Sequence, residues 1–389
     1  MRLLWSFFVA IAAILFTLSK LDLQIAIDID YLKGFVESLQ GYASTSTTIT
    51  TASASTNAIS VGASTPAPPS HFYNPKEQTE LEELTKMSVA RKIRTVFLAI
   101  EQAEGAGARV RRSIGTPKLR NFSPFLMLDH FTIGNGAGFP DHPHRGQETI
   151  TYLLSGGVDH EDFAGNRGTI GPGDLQFMTA GRGIVHAEMP KQNEDGSPNV
   201  GMQLWVDLPK KLKMCEPRYR DLRASEIPIA EVDGGRVSVK VISGQSHGVD
   251  SVRDLAYTPV WLLDVTVKPG GRISQILPVG WNAFAYTLSG TTIFGSNDST
   301  QRVKQYHNVV FDQPGDYVEA SVPDNAEEDG RFIIVAGQPL DQKVVQYGPF
   351  VLTSQEEVYQ AMVDYQTASN GFERARGFQS EIGKRMANF

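Results

Sequence analysis

The chain has one cysteine, Cys215, in 389 residues. No intrachain disulfide can form, which excludes the framework of a small secreted disulfide domain. Basic residues are not in excess: 36 Lys and Arg stand against 43 Asp and Glu, a formal net charge of −7. A surface that coats nucleic acid needs the opposite balance, so no direct nucleic-acid partner is expected. No Gly-Lys-Ser/Thr follows the glycines of GAGAR at 105–109, which excludes a phosphate-binding loop. Arg109, Arg111 and Arg112, just beyond, read as packing and salt-bridge residues rather than an anion site. Charge of either sign is missing from Ser38 to Pro75, a stretch of Ser, Thr, Ala, Gly and Pro. Such a segment buries too little apolar surface to order itself and reads as a linker, placed at 38–90.

Long apolar runs are also scarce. The one from Leu3 to Leu18 falls short of the ~20 residues of a full membrane span. Preceded by Arg2 and followed by Lys20, it has the form of a secretory signal or signal anchor. No small-x-small cleavage site follows, which favours an anchor. Residues 1–37 are therefore read as a signal or anchor segment, with a membrane tether through residues 3–18.

What is present is globular in composition, 41% hydrophobic and 20% charged. Four of the eight histidines, His142, His144, His160 and His186, fall between Phe139 and Pro190. His142 and His144 are two apart, and so are His186 and Glu188. Residues i and i+2 of a strand project to the same side. If both strands line one barrel, three imidazoles and a carboxylate converge. That donor set suits a divalent first-row metal, the imidazoles favouring Fe, Ni, Cu or Zn and the carboxylate adding an anionic oxygen. Four protein ligands leave two octahedral positions for oxygen or substrate. His160, in DHEDFAGN, reads as a surface histidine.

Short strands alternate with Gly, Pro and Asp turns from Phe125 onward, at the ~8–12 residue spacing of a sandwich or barrel. Gly171-Pro172-Gly173-Asp174 is one such turn, and Gly181-Arg182-Gly183 another, which delivers Ile184 to Glu188. TYLLSGG at 151–157 is echoed by AYTLSGT at 285–291, and Pro172-Gly173-Asp174 by Pro314-Gly315-Asp316. Repetition of a strand–turn unit argues for two domains of one fold. The ligand set is not repeated. Ser354 and Glu357 form a capping-box pattern before a helix with Val358, Tyr359, Met362 and Val363 on one face and a stop at Asn370-Gly371. The tail beyond reads as only partly ordered.

PDHPHRG, Y-L-L-x-G-G, HEDF and PGDLQFMTAGRGIVHAEMP stand here unbroken, and together they resemble the pirin family of bicupins. Similarity extends from about Lys92 to about Tyr365. The resemblance implies an all-β fold of two tandem cupin-like antiparallel barrels, at 92–225 and 235–350, with a C-terminal helix and tail at 351–389. It implies metal ligands at His142, His144, His186 and Glu188, holding one metal, with iron preferred and Ni, Co, Mn, Cu or Zn as alternatives. Many cupins use a glutamate at the position of Glu148, whereas pirin-like sequences take the carboxylate from H-A-E. Glu148 is accordingly assigned to orienting a ligand imidazole, and either Glu188 or Glu148 to accepting a substrate proton. Two roles follow from the family: metal-dependent dioxygenase of the quercetin 2,3-dioxygenase type, acting on a flavonol-like small molecule, or iron-dependent redox-sensing co-regulator that binds protein partners. A non-catalytic scaffold is the third reading. Pirin-like proteins generally begin near the position of Met87-Ser88, which implies cytoplasm or nucleus for a chain without the extension. With it, a membrane or secretory location follows, which favours the oxidoreductase. Elemental analysis of the purified chain is expected to give one metal per chain; two would contradict the single ligand set.

Overall fold

The computed structural model describes residues 89–252, 256–296 and 299–384. The signal or anchor segment 1–37, its tether at 3–18 and the linker up to residue 88 lie outside them. Among the described residues no helix is long and apolar enough to cross a membrane.

The architecture is all-β and built twice. One seven-stranded antiparallel sheet runs, in spatial order, Arg218–Leu222, Leu175–Thr179, Gln147–Ser155, Asn199–Asp207, Phe125–Ile133, Ala108–Ile114, Glu101–Glu104. A four-stranded sheet of Phe139–His144, Ile184–Pro190, Val158–Asp162 and Arg167–Ile170 closes over it. The second barrel has the same plan. Its seven strands are Ile93–Leu98, His307–Phe311, Asn282–Ser289, Gly330–Gly337, Val260–Val267, Val237–Ser243 and Ile229–Val232. Its four are Arg272–Ile276, Tyr317–Ser321, Thr292–Phe294 and Gln301–Val303.

The two large sheets pack against each other. Ile150, Tyr152 and Leu204 from the first meet Phe284, Ile333 and Val335 from the second in one buried seam. Strand alternation decides which residues go there. On Gln147–Ser155 the even positions Ile150 and Tyr152 enter the seam, while Thr151 and Leu153 face the interior of the first barrel. One polar group pins the seam: the Asp264 carboxylate accepts from Tyr152 Oη at 2.8 Å and from Arg331 Nε and Nη2 at 3.0 and 2.7 Å.

Following the chain through both barrels pairs Gln147–Ser155 with Asn282–Ser289, as the YLLSG and YTLSG motifs predict. The Pro-Gly-Asp echo is one strand out of step. The first copy leads into Leu175–Thr179 of a large sheet, the second into Tyr317–Ser321 of a small one. The counterpart of the ligand strand Ile184–Pro190 is therefore Tyr317–Ser321, whose inward Val318 and Ala320 join an apolar core with Ile273, Phe294, Phe311 and Phe332. The second barrel is filled where the first holds histidines.

The barrels also differ from the contiguous blocks 92–225 and 235–350. Ile93–Leu98 pairs with His307–Phe311 of the second barrel. In return, the 345–352 hairpin reaches the first, where Phe350 bridges Arg145. Helix Gln355–Thr367 follows, its N-terminus capped by Ser354, whose hydroxyl accepts from Glu357 N at 3.2 Å. It ends at Ala368 in a left-handed conformation, before the expected stop. Its buried residues are Val358, Ala361 and Asp364; of the expected stripe Val358 is buried and Met362 packs on the same cluster, whereas Tyr359 is exposed. The tail is more ordered than its mixed charge suggests: Phe372, Ser380 and Ile382 are buried.

His130 is buried at the seam, its Nδ1 3.3 Å from Tyr286 Oη. Burial, with Arg111 and Arg331 nearby, lowers its pKa from 6.5 to about 4. The unfolded chain then binds more protons than the folded one across that window, so stability falls as pH drops from about 6.5 toward 4. A shift of this size corresponds to about 3 kcal/mol. Urea denaturation at a series of pH values should show that His130→Gln loses less stability than wild type between pH ~6.5 and ~4.

Candidate metal centre

The strand Phe139–His144 contains two prolines, Pro140 and Pro143, and it lies at the edge of its sheet, where a missing N–H is tolerated. Its neighbour Ile184–Pro190 lies antiparallel, with His186 directly opposite His142. His186 and Glu188 are two apart in a regular stretch and share a face, while the irregularity opposite them lies in the 139–144 strand. The nitrogens of His142, His144 and His186 all come within 4.8 Å of one another, a cluster that could hold a metal ion. His142 Nε2 and His186 Nε2 are 3.1 Å apart. Two adjacent ligands on an ion with ~2.1 Å bonds stand at about that separation. His142 Nδ1 lies 2.8 Å from Pro140 O, which fixes Nδ1 as the protonated nitrogen and leaves Nε2 to face the cluster.

Burial holds His144 and His186 well below the usual imidazole range, reinforced by the charge each neighbouring histidine would carry. They therefore stay neutral, the form a metal requires. The donor set fits a divalent first-row ion.

Glu188 is buried on the same inner face. Its carboxylate accepts from Gln203 Nε2 at 3.1 and 2.9 Å and from Thr151 Oγ1 at 3.2 Å. Trp205 meets His144 edge to face at 5.1 Å between ring centres and donates Nε1–H to Gln203 Oε1. A cavity of about 1010 Å³ opens over this group, reaching His142, His144, Glu188, Gln203 and Trp205.

Glu148 is not part of it. The chain turns at Arg145-Gly146, so parity counted from His144 does not carry into the next strand. There Glu148 lies on the seam side with Ile150 and Tyr152. Its carboxylate accepts from Thr179 Oγ1 at 2.7 Å and from the Tyr257 and Thr258 backbone N–H groups. Burial pushes its pKa up against those bonds. Neither the imidazole-orienting role nor the proton-accepting role assigned to it survives. The residue that touches a ligand is its neighbour Gln147, whose amide lies 2.9 Å from His144 Nδ1 and donates to Pro349 O at 3.0 Å. His160 is buried, not superficial, and stacks on Tyr219 with Asp221 3.4 Å away.

Arg145 was also missed. It is fully buried and donates from Nη1 to Asp364 Oδ2 at 2.7 Å, from Nε to Arg182 O at 2.5 Å and from Nη2 to Asn370 O at 2.5 Å. One guanidinium thus ties the turns next to His144 and before Ile184 to the C-terminal helix. Gly146 has a positive φ, and a Cβ there would lie 2.0 Å from Val351 O, so only glycine admits the hairpin. Asp364, Asn370 and Val351 all lie beyond residue 340, which a local motif cannot reveal.

A double β-barrel with, among the described residues, a three-histidine cluster in one barrel only defines a bicupin of asymmetric halves. The family models for Pirin and for the Pirin C-terminal cupin domain match residues 107–206 and 262–371. Human Pirin is 48% identical over 298 residues, covering 76% of this chain and 100% of the human protein. A pirin-like protein of Solanum lycopersicum is 50% identical over 284 residues, 73% of this chain and 94% of the relative. The chain belongs to the pirin family. Among solved structures, quercetin 2,3-dioxygenase from Acinetobacter baumannii superposes with a TM-score of 0.66 at 28% identity, covering 72% of this chain and 98% of that one.

Removing His144 or His186 by alanine substitution should abolish metal retention in elemental analysis while the β-sheet circular dichroism persists, since the cores do not depend on the ion. Gln147→Leu should weaken affinity about 10–100-fold, as loss of a group bonded to a ligand does. Glu148→Gln should leave stoichiometry and affinity unchanged. Because burial holds the His144 and His186 imidazoles below 6.5, proton competition at these two positions should weaken metal retention only well below that pH, which metal titration at a series of pH values checks.

Proposed function

We propose that this chain is a metal-dependent oxidoreductase of the quercetin 2,3-dioxygenase type, with one iron held by His142, His144, His186 and Glu188. The observation that carries the reading is the cavity of about 1010 Å³ that opens directly on the histidine cluster. Small-molecule sites occupy ~300–1,000 Å³, so this one admits a substrate of flavonol size. The solved dioxygenase of related fold supports the substrate class.

Bound there, iron would supply a Lewis-acidic centre that polarises the oxygens of a chelating substrate. The chain's own residues do the rest. Trp205 and Phe139 line the cavity with flat apolar surface that suits an aromatic ring and excludes water. Glu188, held by Gln203 and Thr151, presents the carboxylate that accepts the flavonol's hydroxyl proton. Of the two glutamates considered from sequence, it alone reaches the cavity.

Oxygen-electrode measurements on Fe(II)-loaded protein lacking residues 1–86 test the proposal. Oxygen uptake with quercetin is expected for wild type and not for His144→Ala or metal-stripped protein. No uptake with Fe, Ni, Co, Mn or Cu over a panel of flavonols would replace the enzyme by a redox-sensing co-regulator of protein partners or a scaffold.

A further inference from the structure

The cavity wall carries a charged group that catalysis at the metal does not use. Arg112, Asp129, Gln203 and Thr151 stand directly opposite one another on four neighbouring strands. Gln203 and Thr151 reach Glu188, so the row faces inward. Arg112 grips Asp129 through Nε at 2.8 Å and Nη2 at 2.7 Å, and Nη2 also donates to Glu104 Oε2 at 2.7 Å. Neighbouring strands are ~4.8 Å apart, which puts Arg112 roughly 10 Å along the sheet from Gln203. Both Arg112 and Glu104 line the cavity. Among the described residues, Arg112 Nη1 and Glu104 Oε1 have no hydrogen-bond partner.

Two carboxylates beside one guanidinium leave no net positive charge, so this wall does not select a carboxylate or phosphate. A free donor next to a free acceptor matches a neutral hydroxyl, which accepts one hydrogen bond and donates one. We propose that Arg112 Nη1 and Glu104 Oε1 form a second subsite of the cavity, which binds a neutral hydroxyl at the end of the substrate remote from the metal. The inference rests on the oxidoreductase reading and narrows its substrate class to elongated aromatic compounds, chelating at one end and hydroxylated at the other. Val110, Phe131 and Met127 provide apolar wall in the same cavity.

Calorimetric binding to the full-length chain loaded with Zn(II), which supports no redox turnover, tests the subsite. The probes are quercetin and galangin, the flavonol without the two outer-ring hydroxyls. Quercetin should bind about 10-fold or more tightly than galangin, the usual effect of hydrogen bonds to charged groups. Glu104→Ala should reduce that preference to below about 3-fold while leaving galangin affinity unchanged. Arg112→Met combined with Asp129→Leu removes the ion pair as a unit, which a folded barrel tolerates better than an orphaned carboxylate, and should erase the preference too. Equal affinities in wild type, or a preference that survives both variants, would overturn the subsite and leave the metal-centred reading standing. Failure of wild type to bind either flavonol would overturn the subsite and the flavonol reading together.

Discussion

A strand covered on both faces must send successive residues into two different environments, and Gln147–Ser155 carries that constraint for the whole molecule. Its residues Ile150 and Tyr152 are committed to the apolar seam between the large sheets, Thr151 and Leu153 to the interior of one barrel. The seam fixes the register. A slip of one residue would put Tyr152 among the histidines and Thr151 against Phe284 and Val335, losing the burial and the Asp264 hydrogen bond together. Placement of Gln147 beside His144, and of Thr151 beside Glu188, thus depends on a hydrophobic contact that touches neither.

The same constraint explains what the amino-acid order could disclose. The shared facing of His142 with His144, and of His186 with Glu188, was legible because each pair sits within one strand, where spacing alone dictates facing. Glu148 was misread because a turn intervenes and parity does not survive a turn. Gln203, Arg145 with Asp364, and Gln147 with Pro349 were invisible for another reason. Each acts across tens or hundreds of residues, and nothing local marks a glutamine or arginine as a partner. The YLLSG repeat identified the duplicated strand correctly, while the Pro-Gly-Asp echo did not, because that tripeptide answers to turn geometry wherever a turn occurs.

Comparison of the barrels shows how a shared frame takes on different contents. In the first, polar residues form a continuous row across the sheet and keep the centre open. In the second, Ile273, Val318 and Ala320 stand where ligands would, and Phe294, Phe311 and Phe332 occupy the middle. The filled barrel lends rigidity to the open one. Its large sheet backs the strands that carry Gln203 and Thr151, so the groups holding Glu188 are packed from behind.

The exchange of ends between the barrels has a consequence for how the protein is made. Ile93–Leu98 emerges early in synthesis, but its partner His307–Phe311 is more than two hundred residues downstream. The hairpin and helix that brace His144 and Arg145 come almost last. The segments that brace the histidines are thus far from them in sequence, and pairing over such separations is slow to nucleate. The three-histidine cluster therefore takes its final form only when segments hundreds of residues apart have paired.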